Sequence, residues 1–253
     1  SGVAPAAWVS TDKVIFPATA TSNPTTGLDQ TAIVVDAMIV EYGCPMDIGQ
    51  AGTPLKIGYK TWFDQGKGAI YLQKTNASAF NSYTILAASH SSGTLSVAGT
   101  TNYSIVACAA GTLTVESGVL AGFAIVSPIT GNDRSAVLTI KSSAVIVQCD
   151  GGTLNLQGTS ATGQLFIAGG VVDHTTGFFD EIYMGGGTYI SRTSISPCDK
   201  LYIFGGVVDT MQLATPRTVN TLLVTNRATL LRDSRVFTGA NTDFEFHRAL
   251  GLP

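Results

Sequence analysis

Two aspartates recur at equivalent positions of a repeated unit and have the strongest claim to chemistry. Asp173 and Asp209 each follow an apolar triplet, a glycine pair and two valines, while Asn155 holds the same position one unit earlier and Ile190 lies between them. Two carboxylates about 10 Å apart resemble the pair of an inverting glycosidase, which lies ~6.5–9.5 Å apart. The sequence offers no neighbouring Arg, Lys or third Asp to complete a catalytic or calcium cluster. We therefore expect a solvated column and predict no catalytic residue.

The three histidines do not form a metal-ligand pattern. His90, His174 and His247 are dispersed along the chain, and no Cys or acidic residue follows them at metal-ligand spacing. We expect His174 to pair with Asp173 on one turn, and His90 to share a column with Cys108. The sequence therefore predicts neither a metal nor a cofactor.

Glycine-rich loops carry the remaining acidic candidates. Asp47, Asp133 and Asp150 lie in such loops, outside any calcium-binding repeat. The segments 49–52 and 66–68 are also rich in glycine, but no Gly-Lys-Ser/Thr follows a strand into a helix. We interpret both as turns.

The four cysteines are predicted to be small buried side chains. None is in a CxxC pair, and Cys108 and Cys149 each lie three residues before a repeat glycine. This spacing places them two coils apart, about 10 Å at ~4.8 Å per coil, beyond the ~7 Å Cα limit for a disulfide. Free thiols agree with folding in a reducing cytoplasm. The four positions are Cys44, Cys108, Cys149 and Cys198.

Aromatic residues cluster on neighbouring units at Tyr183, Tyr189, Tyr202 and Phe204. Alternation along a strand requires that some of them point outward. Two interpretations are open: an exposed stripe that contacts protein or sugar, and stacking of rings from one coil to the next.

These residues are positioned by a repeat of about 17–22 residues. Its glycines are spaced by 18, 41, 18, 17 and 19 residues, and the 41 holds one degenerate unit, Ala136–Ile140. In 152–157, GTLNLQ, the two leucines share the inner face and the polar residues the outer face. The pattern predicts an all-β fold, a parallel β-solenoid and a right-handed β-helix of about nine coils. The anchors are Gly93, Gly111, Gly152, Gly170, Gly187 and Gly206.

The ends of the chain lack this repeat. Residues 1–30 are rich in Pro, Ser and Thr, and we interpret them as an arm or cap that could also reach a neighbouring subunit. Residues 31–235 form the predicted solenoid. Residues 236–253 are interpreted as a C-terminal cap over the open edge.

Composition excludes several functional classes. Charged residues make up 12% of the chain and the net charge is −3, so no basic stripe is present to bind nucleic acid. The longest apolar run is too short to span a bilayer, and the N-terminus lacks a signal-peptide pattern. We therefore expect neither nucleic-acid nor membrane partners.

Several runs carry a resemblance to a known group. They are GTPLKIG at 52–58, GAIYL at 68–72, LYIFGGVVDT at 201–210, RTV at 217–219 and ATLLRD at 228–233. With these runs the chain resembles β-solenoid proteins encoded among the virion genes of tailed bacteriophages, over most of residues 12–235. The resemblance implies a structural component of the particle and no catalytic residues.

The function expected from the sequence is therefore non-enzymatic. The leading hypothesis is a capsid decoration or cement protein that stabilises the head, is located on the virion surface and binds the major capsid lattice. We expect a homotrimer, which suits threefold positions. One alternative is a fibre or spike module that binds host glycan. Another is a polysaccharide lyase or hydrolase that uses Asp173 and Asp209.

Overall fold

The computed structural model consists of β-strands joined by short turns. It describes residues 9–23, 29–75, 82–86, 92–97, 104–117, 119–128, 136–158, 163–177, 179–192, 198–211, 217–225, 227–231, 237–238 and 244–245. All regular elements in these ranges are strands. Within them there is no helix of the length and apolarity that crossing a membrane requires.

The strands form two parallel ladders, called sheet 1 and sheet 2, which are joined where residues 55–57 pair with residues 72–74. Between residues 82 and 231 each coil contributes one strand to each ladder. Sheet 1 contains β1 Lys13–Phe16, β2 Gln30–Val40, β3 Leu55–Asp64, β5 Ser82–Leu86, β7 Ser104–Cys108, β9 Val119–Val126, β11 Ser143–Cys149, β13 Gln164–Ile167, β15 Glu181–Met184, β17 Cys198–Ile203, β19 Arg217–Val224, β21 Phe237–Thr238 and β22 Phe244–Glu245. Sheet 2 contains β4 Ala69–Lys74, β6 Ser92–Val97, β8 Thr112–Ser117, β10 Val137–Ile140, β12 Thr153–Leu156, β14 Val171–His174, β16 Thr188–Ser191, β18 Gly206–Asp209 and β20 Ala228–Leu231.

The register of these strands confirms a parallel β-solenoid. In sheet 2, six successive pairings, from β8 to β20, have no register shift. This regular part covers fewer turns than the nine coils expected. The earlier strands also stack in parallel, but the register of β6 against β8 shifts between Leu95 and Ser96. The right-handed winding stays a prediction. The ladder also extends to β1 at one end and to β21 and β22 at the other.

Strict alternation along each strand builds the core. In β13, Leu165 and Ile167 are buried while Gln164 and Phe166 are half-buried on the outer face. In β12, Leu154 and Leu156 point inward as predicted. Burial of one apolar residue above another in every turn removes a continuous column of side chains from water, and this is the main stabilising contribution to such a fold.

Glycines form a second continuous column at the bend between the two sheets. Gly170, Gly187 and Gly206 have φ of 70°, 75° and 85°, in the left-handed region. Gly93 was predicted to belong with them, and this prediction is wrong. Gly93 lies inside β6 and pairs with Leu113. A Cβ on Gly93 would lie 3.1 Å from the Trp62 ring, so this glycine makes room for a buried tryptophan.

Candidate functional site

The structure confirms the predicted aspartate column on the outer face of sheet 2. Asn155, Asp173, Ile190 and Asp209 occupy successive positions of one register column. The prediction that no Arg or Lys lies beside these aspartates is wrong. Arg192 donates from Nε to Asp173 Oδ1 at 2.5 Å and from Nη2 to Asp173 Oδ2 at 2.7 Å. Alternation could have revealed it, because Arg192 follows the outward Ile190 by two positions.

The bidentate ion pair defines what Asp173 can do. Both of its carboxylate oxygens accept hydrogen bonds from one guanidinium, which fixes the position and orientation of the group. The hydrogen bonds to Asp173 raise the pKa of Arg192, and the charges of Asp173 and Asp209 add to this rise. A general acid must face the bond that it protonates, and here both carboxylate oxygens are already occupied by the guanidinium. The arrangement therefore favours a structural cross-link between coils.

His174 was predicted to pair with Asp173, and this prediction is wrong. The side chain is 1% exposed and points into the solenoid, where Nδ1 lies 2.8 Å from the Tyr189 hydroxyl. Its ring also contacts Phe179 edge-on, with 5.6 Å between ring centroids. Tyr189 is itself 1% exposed, so it belongs to the core and not to an outer aromatic cluster.

The predicted cysteine column is confirmed. Cys108 and Cys149 each pair with Val126 from opposite sides, which places them two coils apart. All four cysteines are free and buried. Burial raises the pKa of the Cys108 and Cys149 thiols to about 12, so neither is an ionised nucleophile at neutral pH. Leu86 precedes Cys108 in this column; His90 was predicted there but lies outside the described residues.

The loop aspartates do not assemble a metal site in the described part of the chain. Asp47 Oδ1 accepts a hydrogen bond from the Ala69 backbone at 2.7 Å, and Asn23 Oδ1 accepts one from the Asp47 backbone. Asp150 Oδ1 accepts one from Gln148. No group of three or more His, Cys, Asp or Glu suited to a metal occurs among the described residues. Asp133 and His247 lie outside those residues.

The aromatic side chains form a ladder on the outer face of sheet 1. Phe166, Tyr183 and Tyr202 are register partners on three successive strands. Their centroids lie 5.2 and 5.3 Å apart, with interplanar angles of 10° and 26°. Phe204 lies beside Tyr202 at 6.4 Å and 15°. Rung-to-rung stacking is therefore present. Phe166 was missed, although it is the middle residue of an apolar triplet and alternation turns it outward.

A polar row flanks this ladder. Glu181 accepts hydrogen bonds from Gln164 at 2.8 Å, from Tyr183 at 2.7 Å and from Lys200. Together these donors, with Lys200 the largest cause, lower the pKa of Glu181 to about 2. The row therefore holds a neutralised ion pair, and the phenol of Tyr183 is fixed in place by its hydrogen bond to Glu181.

The ladder is one part of a longer outward column of apolar side chains on sheet 1, which we call the apolar column. Eleven successive register positions belong to it, and Gln148 is the one non-aromatic polar residue among them. At ~4.8 Å per rung the apolar column is about 48 Å long. The side chains described in it are those of Ile15, Ile39, Phe63, Ala107, Ile125, Gln148, Phe166, Tyr183, Tyr202 and Leu223, and the backbone of residue 85 continues the register between Phe63 and Ala107.

A shallow groove of about 300 Å³, here called the aromatic groove, lies beside the ladder. Ala168, Gly185 and Phe204 follow the ends of successive sheet 1 strands, as their backbone hydrogen bonds show. The small residues Ala168 and Gly185 form the base of the groove, Phe166 and Tyr183 line one side, and the ring of Phe204, 47% exposed, closes one end.

Comparisons with known proteins add no relative. No protein-family model matches the chain, and neither the curated proteins nor the solved structures contain a significant match.

Proposed function

We propose that the protein is a non-enzymatic structural component of a phage particle, a decoration protein that binds the major capsid lattice and stabilises the head. In this proposal it folds in the host cytoplasm, assembles as a homotrimer and is located on the capsid surface. The observation that carries the proposal is the apolar column, from Ile15 to Leu223, on the outer face of sheet 1.

The apolar column has the dimensions of a contact surface. Its central part is widened by Ile105, Phe123 and Ile146, which form the neighbouring outward column. Monomeric soluble proteins rarely expose contiguous apolar patches larger than a few hundred Å². The outer face of sheet 2 is more polar, with Thr114 and Asn155 among its outward residues, although Val171 and Leu231 are also exposed there. A protein with one apolar and one polar face has a defined side for attachment.

The order of side chains along the apolar column supports parallel self-association. Its first part is mostly aliphatic, with Phe63 as its one aromatic residue, whereas its later part combines the aromatic ladder with the Glu181–Lys200 pair. Around a threefold axis parallel to the solenoid, equivalent residues meet at the same height, so aliphatic side chains meet aliphatic ones. An antiparallel arrangement would bury the ion pair against aliphatic surface, which is costly.

Two alternatives from the sequence remain open. A polysaccharide lyase or hydrolase at Asp173 and Asp209 is disfavoured by the bidentate pairing of Asp173 with Arg192. A fibre or spike module that binds host glycan gains support from the aromatic groove.

The proposal predicts that a charge in the centre of the apolar column abolishes assembly. Ile125→Lys places an ammonium group at a half-buried outward position of β9, where desolvation within an interface costs several kcal/mol. Sedimentation equilibrium should give a trimer for the parent protein and a monomer for the variant. In a pull-down with purified heads that lack this protein, we expect the variant to lose at least tenfold in binding.

The matched control is Thr114→Lys, which adds the same charge at a half-buried outward position of β8 on the polar face. We expect this variant to assemble and bind heads as the parent does. A monomeric parent that ignores heads would contradict the proposal, as would equal effects of the two variants.

A further inference from the structure

The aromatic groove interrupts a regular stack of rings. On the rung of Tyr202 two rings lie side by side, those of Tyr202 and Phe204. On the two preceding rungs a ring is present only in the ladder, at Tyr183 and Phe166, and the neighbouring positions hold Gly185 and Ala168. The second stack therefore begins at Phe204 and has space for about two rings above it.

The Phe204 ring offers a flat face to that space. Its plane is within 15° of the Tyr202 plane, and Tyr202 is stacked on Tyr183 along the direction of the coils. One face of Phe204 therefore turns toward the volume beside Tyr183. A Cβ added to Gly185 would have the Ile167 carbonyl oxygen, 3.9 Å away, as its sole close neighbour, which shows that this volume is open.

Polar groups border the groove at its opposite end. Gln148 lines it, and its Nε2 donates to Asp150 Oδ1 at 2.6 Å, which fixes the orientation of the carboxamide. Tyr183 is held by its hydrogen bond to Glu181 at 2.7 Å. The space is therefore bounded by one aromatic face and by oriented hydrogen-bonding groups, which are the usual components of a small-molecule site.

We propose that the aromatic groove binds a neutral glycan, with one sugar ring stacked on Phe204 beside Tyr183. A pyranose combines an apolar face of C–H groups with an edge of hydroxyls, so it matches both the aromatic face and the polar border. The volume of about 300 Å³ lies at the lower limit for ligand sites and suits a short saccharide rather than a folded domain.

The charge at the border of the groove determines which class of sugar it can bind. None of the described residues that line the groove is charged. The carboxylates at its border are Asp150 and Glu181, and Lys200 neutralises the second. The border is therefore net negative and repels uronic and sialic acids. Gln148, Phe166 and Tyr183 belong both to the groove and to the apolar column, so a bound glycan and the assembly contact proposed above exclude each other at this end of the column.

The test measures binding of defined trisaccharides to the full chain. Cellotriose, maltotriose and triacetylchitotriose serve as neutral probes, and trigalacturonate is the acidic comparator. Saturation-transfer NMR and calorimetry are recorded for the parent, Phe204→Ala and Gly185→Leu. The first variant removes the stacking face, and the second fills the groove at a position where φ is not in the left-handed region. Tyr42→Ala is the matched control, because this tyrosine is 78% exposed and outside the groove.

We expect at least one neutral trisaccharide to bind the parent and Tyr42→Ala equally, and to lose at least tenfold in affinity with both groove variants. The acidic trisaccharide should bind more weakly than the neutral ones. If Phe204→Ala fails to fold, the trisaccharide affinity of Gly185→Leu alone tests the proposal.

Four outcomes overturn the proposal. They are no binding of any neutral probe, unchanged binding by Gly185→Leu, preference for trigalacturonate, and a changed sedimentation mass for Gly185→Leu. The last would show that a second copy of the chain occupies the groove. The assembly experiment with Ile125→Lys is separate, so failure of the glycan site and failure of the particle role are distinguishable.

Discussion

Gly187→Ala is expected to lower the free energy of unfolding by about 3 kcal/mol, whereas Gly185→Ala, two residues earlier, leaves it nearly unchanged. Gly187 has φ of 75°, and the left-handed conformation alone costs a residue with a Cβ about 1–2 kcal/mol. The new Cβ would also lie 2.7 Å from the Gly170 oxygen and the Gly169 carbon on the rung above.

The rung above Gly187 cannot move to relieve that contact. The Gly170 oxygen accepts the 2.8 Å hydrogen bond of Thr188, and Gly170 itself would place a Cβ 2.5 Å from the Gly152 oxygen. A shift at one bend is therefore transmitted to the next bend in the column. Close-packed interiors respond to such overlap with strain rather than with local adjustment.

Gly185→Ala is the matched control, because its φ is not in the left-handed region and its nearest contact is 3.9 Å away. Urea unfolding followed by circular dichroism gives both free energies under one set of conditions. Equal losses for the two variants would show that the bend does not require glycine, and would remove the physical basis of the repeat.

The repeat made much of the fold predictable. A glycine before each strand and alternating residues within it are local features, so 152–157 alone indicates which leucines are buried. The same register led correctly to the aspartate column and to the two-coil separation of Cys108 and Cys149, since both follow from counting along equal coils.

Two predictions from the sequence are wrong, one because of a side chain that is distant in sequence and one because neighbouring residues of a strand face opposite sides. Gly93 resembles a bend glycine in sequence, but its role is set by Trp62, which lies 31 positions earlier and reaches across the core. His174 follows Asp173 in sequence but turns to the opposite face, where its Nδ1 lies 2.8 Å from the Tyr189 hydroxyl. Neighbours in sequence on a strand are not neighbours in space.

The aromatic groove could not be predicted from any single unit. It exists because Ala168, Gly185 and Phe204 occupy one column while the adjacent column keeps its rings. No single unit contains the groove. The groove forms because successive units carry side chains of different size at the same position.

Asp64 is a polar residue within an otherwise apolar core column. It lies between Val40 and Leu86 in the register of sheet 1 and has no exposed surface. Oδ1 accepts a 2.8 Å hydrogen bond from the Gly66 backbone, while Oδ2 is buried without a hydrogen-bond partner among the described residues. Burial raises the pKa of Asp64 to about 6, and the Gly66 bond offsets part of that rise.

Asp64 is therefore expected to make the solenoid less stable as pH rises. Its pKa in the native state exceeds that in the unfolded chain, 3.8, so between these values the native state binds more protons than the unfolded state. The contribution of Asp64 to the free energy of unfolding is then greatest below pH 4. It falls by about 3 kcal/mol in total as the pH rises to 6. Glu181 titrates in the native state near pH 2, and its contribution is complete above pH 5.

Asp64→Asn is expected to abolish this fall in stability between pH 4.5 and 7 and to raise the free energy of unfolding at pH 7.5 by about 1–2 kcal/mol. The amide keeps the acceptor for Gly66 but removes the buried charge, and its buried NH₂ group limits the gain. Asp36→Asn, an exposed aspartate paired with Lys60, is the control and should keep the parent's pH dependence. Urea unfolding at several pH values measures all three proteins. An unchanged pH slope in Asp64→Asn would show that Asp64 is not the titrating group, because no other change was made in the core.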